Sequence, residues 1–185
     1  MASTEQQPQQ DVVSFLKGQH DEIKRLFAEV ETSAGDQRAE AFRDLRRLLA
    51  VHETAEEEFV HPRARKAMTG GDAVVSARLH EENEAKKMLA DLEKIGVDDA
   101  DFTIQFAELK GAVLAHAEHE ENDEFPALVA ETDPEHLQRM TRLVQAAESM
   151  APTRPHAGVE SAAANMIAGP FAAMLDRARD AFKKV

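Results

Sequence analysis

The chain has 185 residues, 35 Asp and Glu against 22 Lys and Arg, a formal net charge of −13, and no Cys, Trp or Tyr. At this length a single domain with its own core is expected, and the lack of cysteine removes thiolate nucleophiles, iron–sulfur clusters, thiolate zinc sites and disulfides. The negative charge opposes phosphate, so neither nucleic acid nor an anionic membrane surface is expected as a partner.

The Gln-rich start, residues 1–10, reads as disordered, and its lack of a basic or long apolar run argues against a secretory signal. No apolar run approaches the roughly 20 residues of a membrane span, so a cytoplasmic location is expected. From there the hydrophobic period is helical almost throughout. Val13, Leu16, His20, Ile23, Phe27 and Val30 form one stripe of a first long helix, with a histidine in its middle. A turn at Ser33–Asp36 leads to a second helix, about 37–67, carrying Phe42, Leu45, Leu49, His52, Glu56 and Phe59, with Pro62 near its end. Thr69–Asp72 breaks the pattern. A third helix, about 73–95, contains Val75, Leu79, His80, Glu84, Met88 and Leu92. A fourth, about 100–131, holds Phe102, Phe106, Leu109, Val113, His116 and Glu120, again with a late proline, Pro126.

Long helices with short connections predict an all-α, antiparallel up-down four-helix bundle over residues 11–131. Residues 132–185 read as a C-terminal helical extension. Asp133-Pro134-Glu135 is a helix start for a fifth helix to about 150. A linker at 151–155 then precedes an amphipathic tail over 158–183.

The sequence repeats internally. His52 and His116 are each followed by Glu at plus four, a second Glu at plus five, and Pro at plus ten. The helices before them correspond more weakly, Val12-Val13-Ser14 leading to His20 and Val74-Val75-Ser76 to His80. Two such hairpins around a pseudo-twofold axis would bring four histidines to one level. On a helix, His at i and Glu at i+4 lie one above the other, so both can reach one metal or a metal pair. H-x-x-x-E alone is weak: it occurs at His52, His80, His116 and His156, the last in the linker. Placement strengthens it. His20, His52, His80 and His116, with Glu56 and Glu120, fall on apolar stripes, where unpaired imidazole and carboxylate groups would be costly. A metal centre resolves that cost for all six.

The order His, H-x-x-x-E, His, H-x-x-x-E on four successive helices resembles the hemerythrin-like (HHE cation-binding) family over residues 12 to about 130. The resemblance implies a non-haem centre of two iron ions with an oxo or hydroxo bridge. Glu56 and Glu120 would bridge, with the histidines as terminal ligands; ligand type leaves manganese and zinc open. Oxygen carriers of the family have a His where this chain has Glu84, and an Asp at plus five where Glu120 stands at plus four and Glu121 at plus five. Some relatives also use the acid after the second-helix His, here Glu53. Glu53 and Glu84 are therefore candidate extra ligands, and His119 and Glu121 candidate groups bordering the ligands. His61, half a helical turn off the expected metal face, is expected to face solvent. With one imidazole fewer than the carriers, the ferric state is favoured and autoxidation is expected.

The expected function is binding or sensing dioxygen, peroxide or nitric oxide, with weak catalase- or peroxidase-like activity and no dedicated catalytic residue. The alternative is an iron-sensing module that signals through its C-terminal helices or its oligomer state, monomer or homodimer. A ferritin-like oxidase needs Glu-x-x-His on two helices; only Glu58–His61 has that spacing.

Overall fold

The computed structural model describes residues 10–150. The expected disorder of residues 1–9, the linker at 151–155, His156 and the tail helix lie outside the described residues. Among those described there is no strand, and no helix is long and apolar enough to cross a membrane. The elements are α1 (Val12–Thr32), α2 (Gly35–Ala55), a π turn (Glu56–Val60), α3 (His61–Ala67), α4 (Gly71–Ile95), α5 (Phe102–His119), a second π turn (Glu120–Glu124), α6 (Phe125–Glu131) and α7 (Pro134–Met150). Each π turn joins its flanking helices into one rod, so four rods make an all-α antiparallel bundle to which α7 is added.

Local chemistry explains the boundaries. Asp11 caps α1 by accepting a hydrogen bond from the Ser14 backbone N–H at 2.8 Å. Gly70 and Gly96 adopt φ of 75° and 80°, left-handed conformations that disfavour a side chain, and so turn the chain before and after α4. The π turns sit just before Pro62 and Pro126. Proline donates no backbone hydrogen bond, and its ring clashes with the carbonyl four residues back in an α-helix. Widening the preceding turn relieves both, and the N–H of His61 and of Phe125 reach back five residues to the carbonyls of Glu56 and Glu120.

Two apolar clusters fill the bundle. One joins Val12 and Leu16 of α1, Phe59 and Val60 of the first π turn, and Phe125 and Leu128 of α6 to Leu137, Met140 and Val144 of α7. The other joins Phe27, Phe42, Leu45, Leu89, Leu92, Phe102, Phe106 and Leu109. In the second, Phe102 stacks on Phe106 at 5.3 Å and meets Phe42 edge-on at 5.1 Å. Burying each such ring contributes about 1.5–3 kcal/mol. On each long rod the first cluster, the second, or both stop short of a polar layer: at His20 on α1, His52 and Glu56 on α2 and the first π turn, Glu82 on α4, and His116 and Glu120 on α5 and the second π turn.

Candidate metal centre

The polar layer is fully interior. Glu56 and Glu120 are 0% exposed, Glu82 and His20 1%. The ligand atoms of His20, His52, Glu56 and Glu120 all lie within 4.8 Å of one another. So do those of Glu56, Glu82, His116 and Glu120. The two groups of four share Glu56 and Glu120. Glu120 faces both ways, Oε2 standing 3.4 Å from His20 Nε2 and Oε1 3.5 Å from His116 Nε2. His52 Nε2 is 3.3 Å from Glu56 Oε2.

The outward nitrogens are held by acceptors. Nδ1 of His20 donates to Glu121 at 2.8 Å, Nδ1 of His52 to Gln19 at 2.8 Å, and Nδ1 of His116 to Glu81 at 3.1 Å. With Nδ1 engaged outward, each ring turns its Nε2 inward, the orientation a metal-ligating histidine needs. The Nε2 atoms of His20 and His116, both oxygens of Glu56 and of Glu120, and Oε2 of Glu82 are buried without a hydrogen bond. Leaving so many polar atoms unsatisfied at one point is costly. Bound metal cations would satisfy them, and imidazole with carboxylate is a donor set that transition metals accept.

The electrostatics follow from burial. Desolvation, reinforced by Glu120 and Glu82, pushes the Glu56 carboxyl well above its ordinary range. Desolvation raises Glu53 to about 7 against the opposing pull of Lys86, and raises Glu82 as well. His52 is driven down to about 3 by burial and by the neighbouring His20. For Glu120 burial acts upward, but His116, then His20 and His52, outweigh it and hold the carboxyl low. His116 rises to about 9 because Glu120 outweighs its burial.

The structure corrects two expectations. His80 lies exposed on α4 and is not brought to the other histidines; Glu82 stands in the layer instead. The buried face of α4 runs Gly71, Val75, Arg78, Glu82, Ala85, Leu89, Leu92, alternating steps of four and three, and His80 is about 200° around the helix from Glu82. His61 does not face solvent: it is buried, with Nε2 2.6 Å from Glu82 and Nδ1 2.9 Å from Glu124. The π turn adds a residue to the turn between Glu56 and His61 and swings His61 back onto the inner face. Burial works against protonation of this ring, but its two carboxylate partners prevail and carry it to about 10. His61, Glu120 and Glu124 make a third close group of buried ligand atoms.

The other candidates are placed as follows. Glu53 is buried and pairs with Lys86 at 3.4 Å, outside both groups of four. Glu84 pairs with Lys87 at 2.7 Å near the surface, away from the layer. His119 is half-exposed and reaches Glu81 at 3.2 Å, so it touches a carboxylate that orients His116 rather than the layer itself. Glu121 orients His20. Sequence reasoning missed Glu82, Glu124, His61, Gln19 and Glu81. A signal for Glu82 was present: aligning Val13 with Val75 in the two Val-Val-Ser segments places His20 opposite Glu82, not His80.

Residues 11–128 match the family model described as the hemerythrin HHE cation binding domain. This chain belongs to the hemerythrin HHE cation-binding family. Among solved structures, an HHE domain-containing protein from Mycobacterium kansasii superposes with a TM-score of 0.68 at 20% identity, covering 91% of this chain and 98% of that one. It shares the fold. A DNA nickase from Nostoc sp. (strain PCC 7120 / SAG 25.82 / UTEX 2576) is 26% identical over 140 residues, 75% of this chain. The chain spans 39% of that protein's length. As an HHE domain this protein binds metal cations, and the interior layer supplies the His and Glu clusters for it.

Proposed function

We propose that this HHE domain holds two iron ions and uses them to bind or sense dioxygen, peroxide or nitric oxide, with slow peroxide degradation as a side activity. The observation that carries this reading is the two ligand groups of four that share Glu56 and Glu120, enough donors for two cations. His20 and His52 would serve the first position, Glu82 and His116 the second. Bound iron would supply an open coordination position and the electrons that a small oxidant draws on.

The chain's own residues set the conditions for that chemistry. Ile23, Leu49, Ala85 and Val113, with His20, His52, Glu53, Glu82 and His116, wall a small cavity of about 10 Å³ beside the layer. That is about the room one water molecule needs, so the layer is closely walled and admits only small molecules. Its aliphatic wall keeps bulk water out, while Gln19, Glu81 and Glu121 fix the imidazole rings. Glu82, a hard anionic donor, favours the higher oxidation state relative to a neutral imidazole.

The test is to load the apoprotein anaerobically with ferrous ion and titrate with nitric oxide, following absorbance and electron paramagnetic resonance. Saturable binding near one nitric oxide per two irons supports the reading; no spectral response refutes it. Enlarging residue 113 with Val113→Phe is expected to abolish that response while leaving iron content unchanged.

One observation favours a second reading, an iron-sensing module. Met140 and Val144 of α7 pack with Leu16, one turn before His20, and with Val60, which closes the π turn that begins at Glu56. Metal loading would then tighten the seat of α7. Hydrogen exchange in α7 that slows on metal binding supports it, and exchange independent of metal refutes it.

A further inference from the structure

Both ends of the polar layer are closed by apolar clusters, through which a hydrated cation cannot pass cheaply. A cation must therefore enter from the side, between helices. Along the seam of α2 and its π turn with α4, Glu57, Glu53 and Glu82 descend from the surface, their side chains 17%, 9% and 1% exposed. Lys86, one turn beyond Glu82, holds its ammonium 2.5 Å from Glu57, 3.4 Å from Glu53 and 3.7 Å from Glu82 Oε2. Inside this cluster, Glu53 and Glu82 line the small cavity that touches His20, His52 and His116. Glu82 Oε2, on the Lys86 side, is buried and makes no hydrogen bond. The other carboxylates at the rim, Glu81 and Glu121, are already committed to His116 and His20.

We propose that Glu57, Glu53 and Glu82 form a loading port for divalent cations, with the Lys86 ammonium as its gate. The port rests on the metal-centre reading of the layer. Oxygen donors at graded depth suit a hard dication shedding its water stepwise. The ammonium occupies the place that a dication must cross. Lys86 carries a flexible four-carbon stem and is 28% exposed, so it can swing to solvent without disturbing α4. With Lys86 in place its positive charge offsets part of the pull that Glu57, Glu53 and Glu82 exert on an incoming dication. Without it, that offset is gone and the dication meets the acidic side chains alone.

The test follows uptake of cobaltous ion by the full-length apoprotein in stopped flow, reading the visible bands of the bound ion. Lys86→Met is expected to load about tenfold faster, in line with the gain from electrostatic steering into a charged cleft, with the same final cobalt per chain. Lys86→Arg is expected to load like the native chain, and Glu57→Gln more slowly. Equal rates for the native chain and Lys86→Met, or a loss of cobalt stoichiometry in that variant, would overturn the gate. If Lys86→Met does not fold by circular dichroism, the Glu57→Gln rate decides, and native-like loading by it overturns the port. A native chain that takes up no stoichiometric cobalt overturns the metal-centre reading itself.

Discussion

Glu56 should change the sign of its contribution to stability with metal. In the apoprotein it is 0% exposed, both oxygens lack a hydrogen bond, and burial with neighbouring carboxylates raises its pKa well above the ordinary range. Charged or protonated, it is a net cost there. Glu56→Met, of similar length and apolar, is therefore expected to stabilise the apoprotein by about 2 kcal/mol, within the range seen when buried charged groups give way to well-packed apolar ones. At this chain size that corresponds to a rise in melting temperature of about 4–8 °C. With metal the order reverses. Free metal at about 100 times its dissociation constant adds about 2.7 kcal/mol per site, so two sites raise the native melting temperature by roughly 10–20 °C. The variant, lacking a shared ligand, should gain little. Thermal unfolding followed by circular dichroism, with chelator and then with ferrous or cobaltous ion, gives all four values. An apo variant less stable than the native chain by a kcal/mol or more would show that buried Glu56 is no net cost. An equal metal-induced gain in both proteins would show that Glu56 is no shared ligand.

The remaining expectations concern register, pH and packing. His80→Ala should leave stability within about 0.5 kcal/mol and metal content unchanged, whereas Glu82→Ala should lose metal; elemental analysis of both checks the placement of α4. Apoprotein stability should fall from pH 7 to pH 9. Folded Glu53 (about 7), His116 (about 9), His61 (about 10), Glu56 and Glu82 all hold protons more tightly than their unfolded counterparts. Such groups contribute stability at low pH that is lost as pH rises through the folded values, about 1.4 kcal/mol per pH unit for each extra proton held. His52 and Glu120, whose folded values are depressed, contribute stability that is lost only as pH falls below their unfolded values, so they add no opposing slope between pH 7 and pH 9. Melting curves across that range check this, and metal, by replacing the protons, should flatten the trend. Gly71→Ala would place its Cβ 2.3 Å from the Arg65 carbonyl oxygen, and is expected to cost about 1–3 kcal/mol in urea unfolding because backbone must move.

Much of the fold was legible because helical periodicity, caps and glycine breaks all agreed. The four rods and α7 stand close to their expected bounds. His20, His52, Glu56, His116 and Glu120 come together as their spacing suggested, because each lies on an apolar stripe that fixes its direction. On α4 that guide was weak. Arg78 and Glu82 are polar members of the buried stripe, so the register was drawn toward His80 by residue type rather than by period. His61 was misplaced for another reason: an even 100° per residue cannot show a π turn, and the turn rotates everything after it. Pro62 and Pro126 are its visible trace in the sequence. The partners of the Nδ1 atoms come from other helices, so no spacing within one helix reveals them.

A two-metal centre fixes the metal content of each chain. Mass spectrometry of untagged protein should find close to two irons in the native chain. In a His52→Ala, His116→Ala double variant, which removes a ligand from each position, it should find far fewer. No stoichiometric metal in the native chain, or an equal content in the variant, would contradict the account.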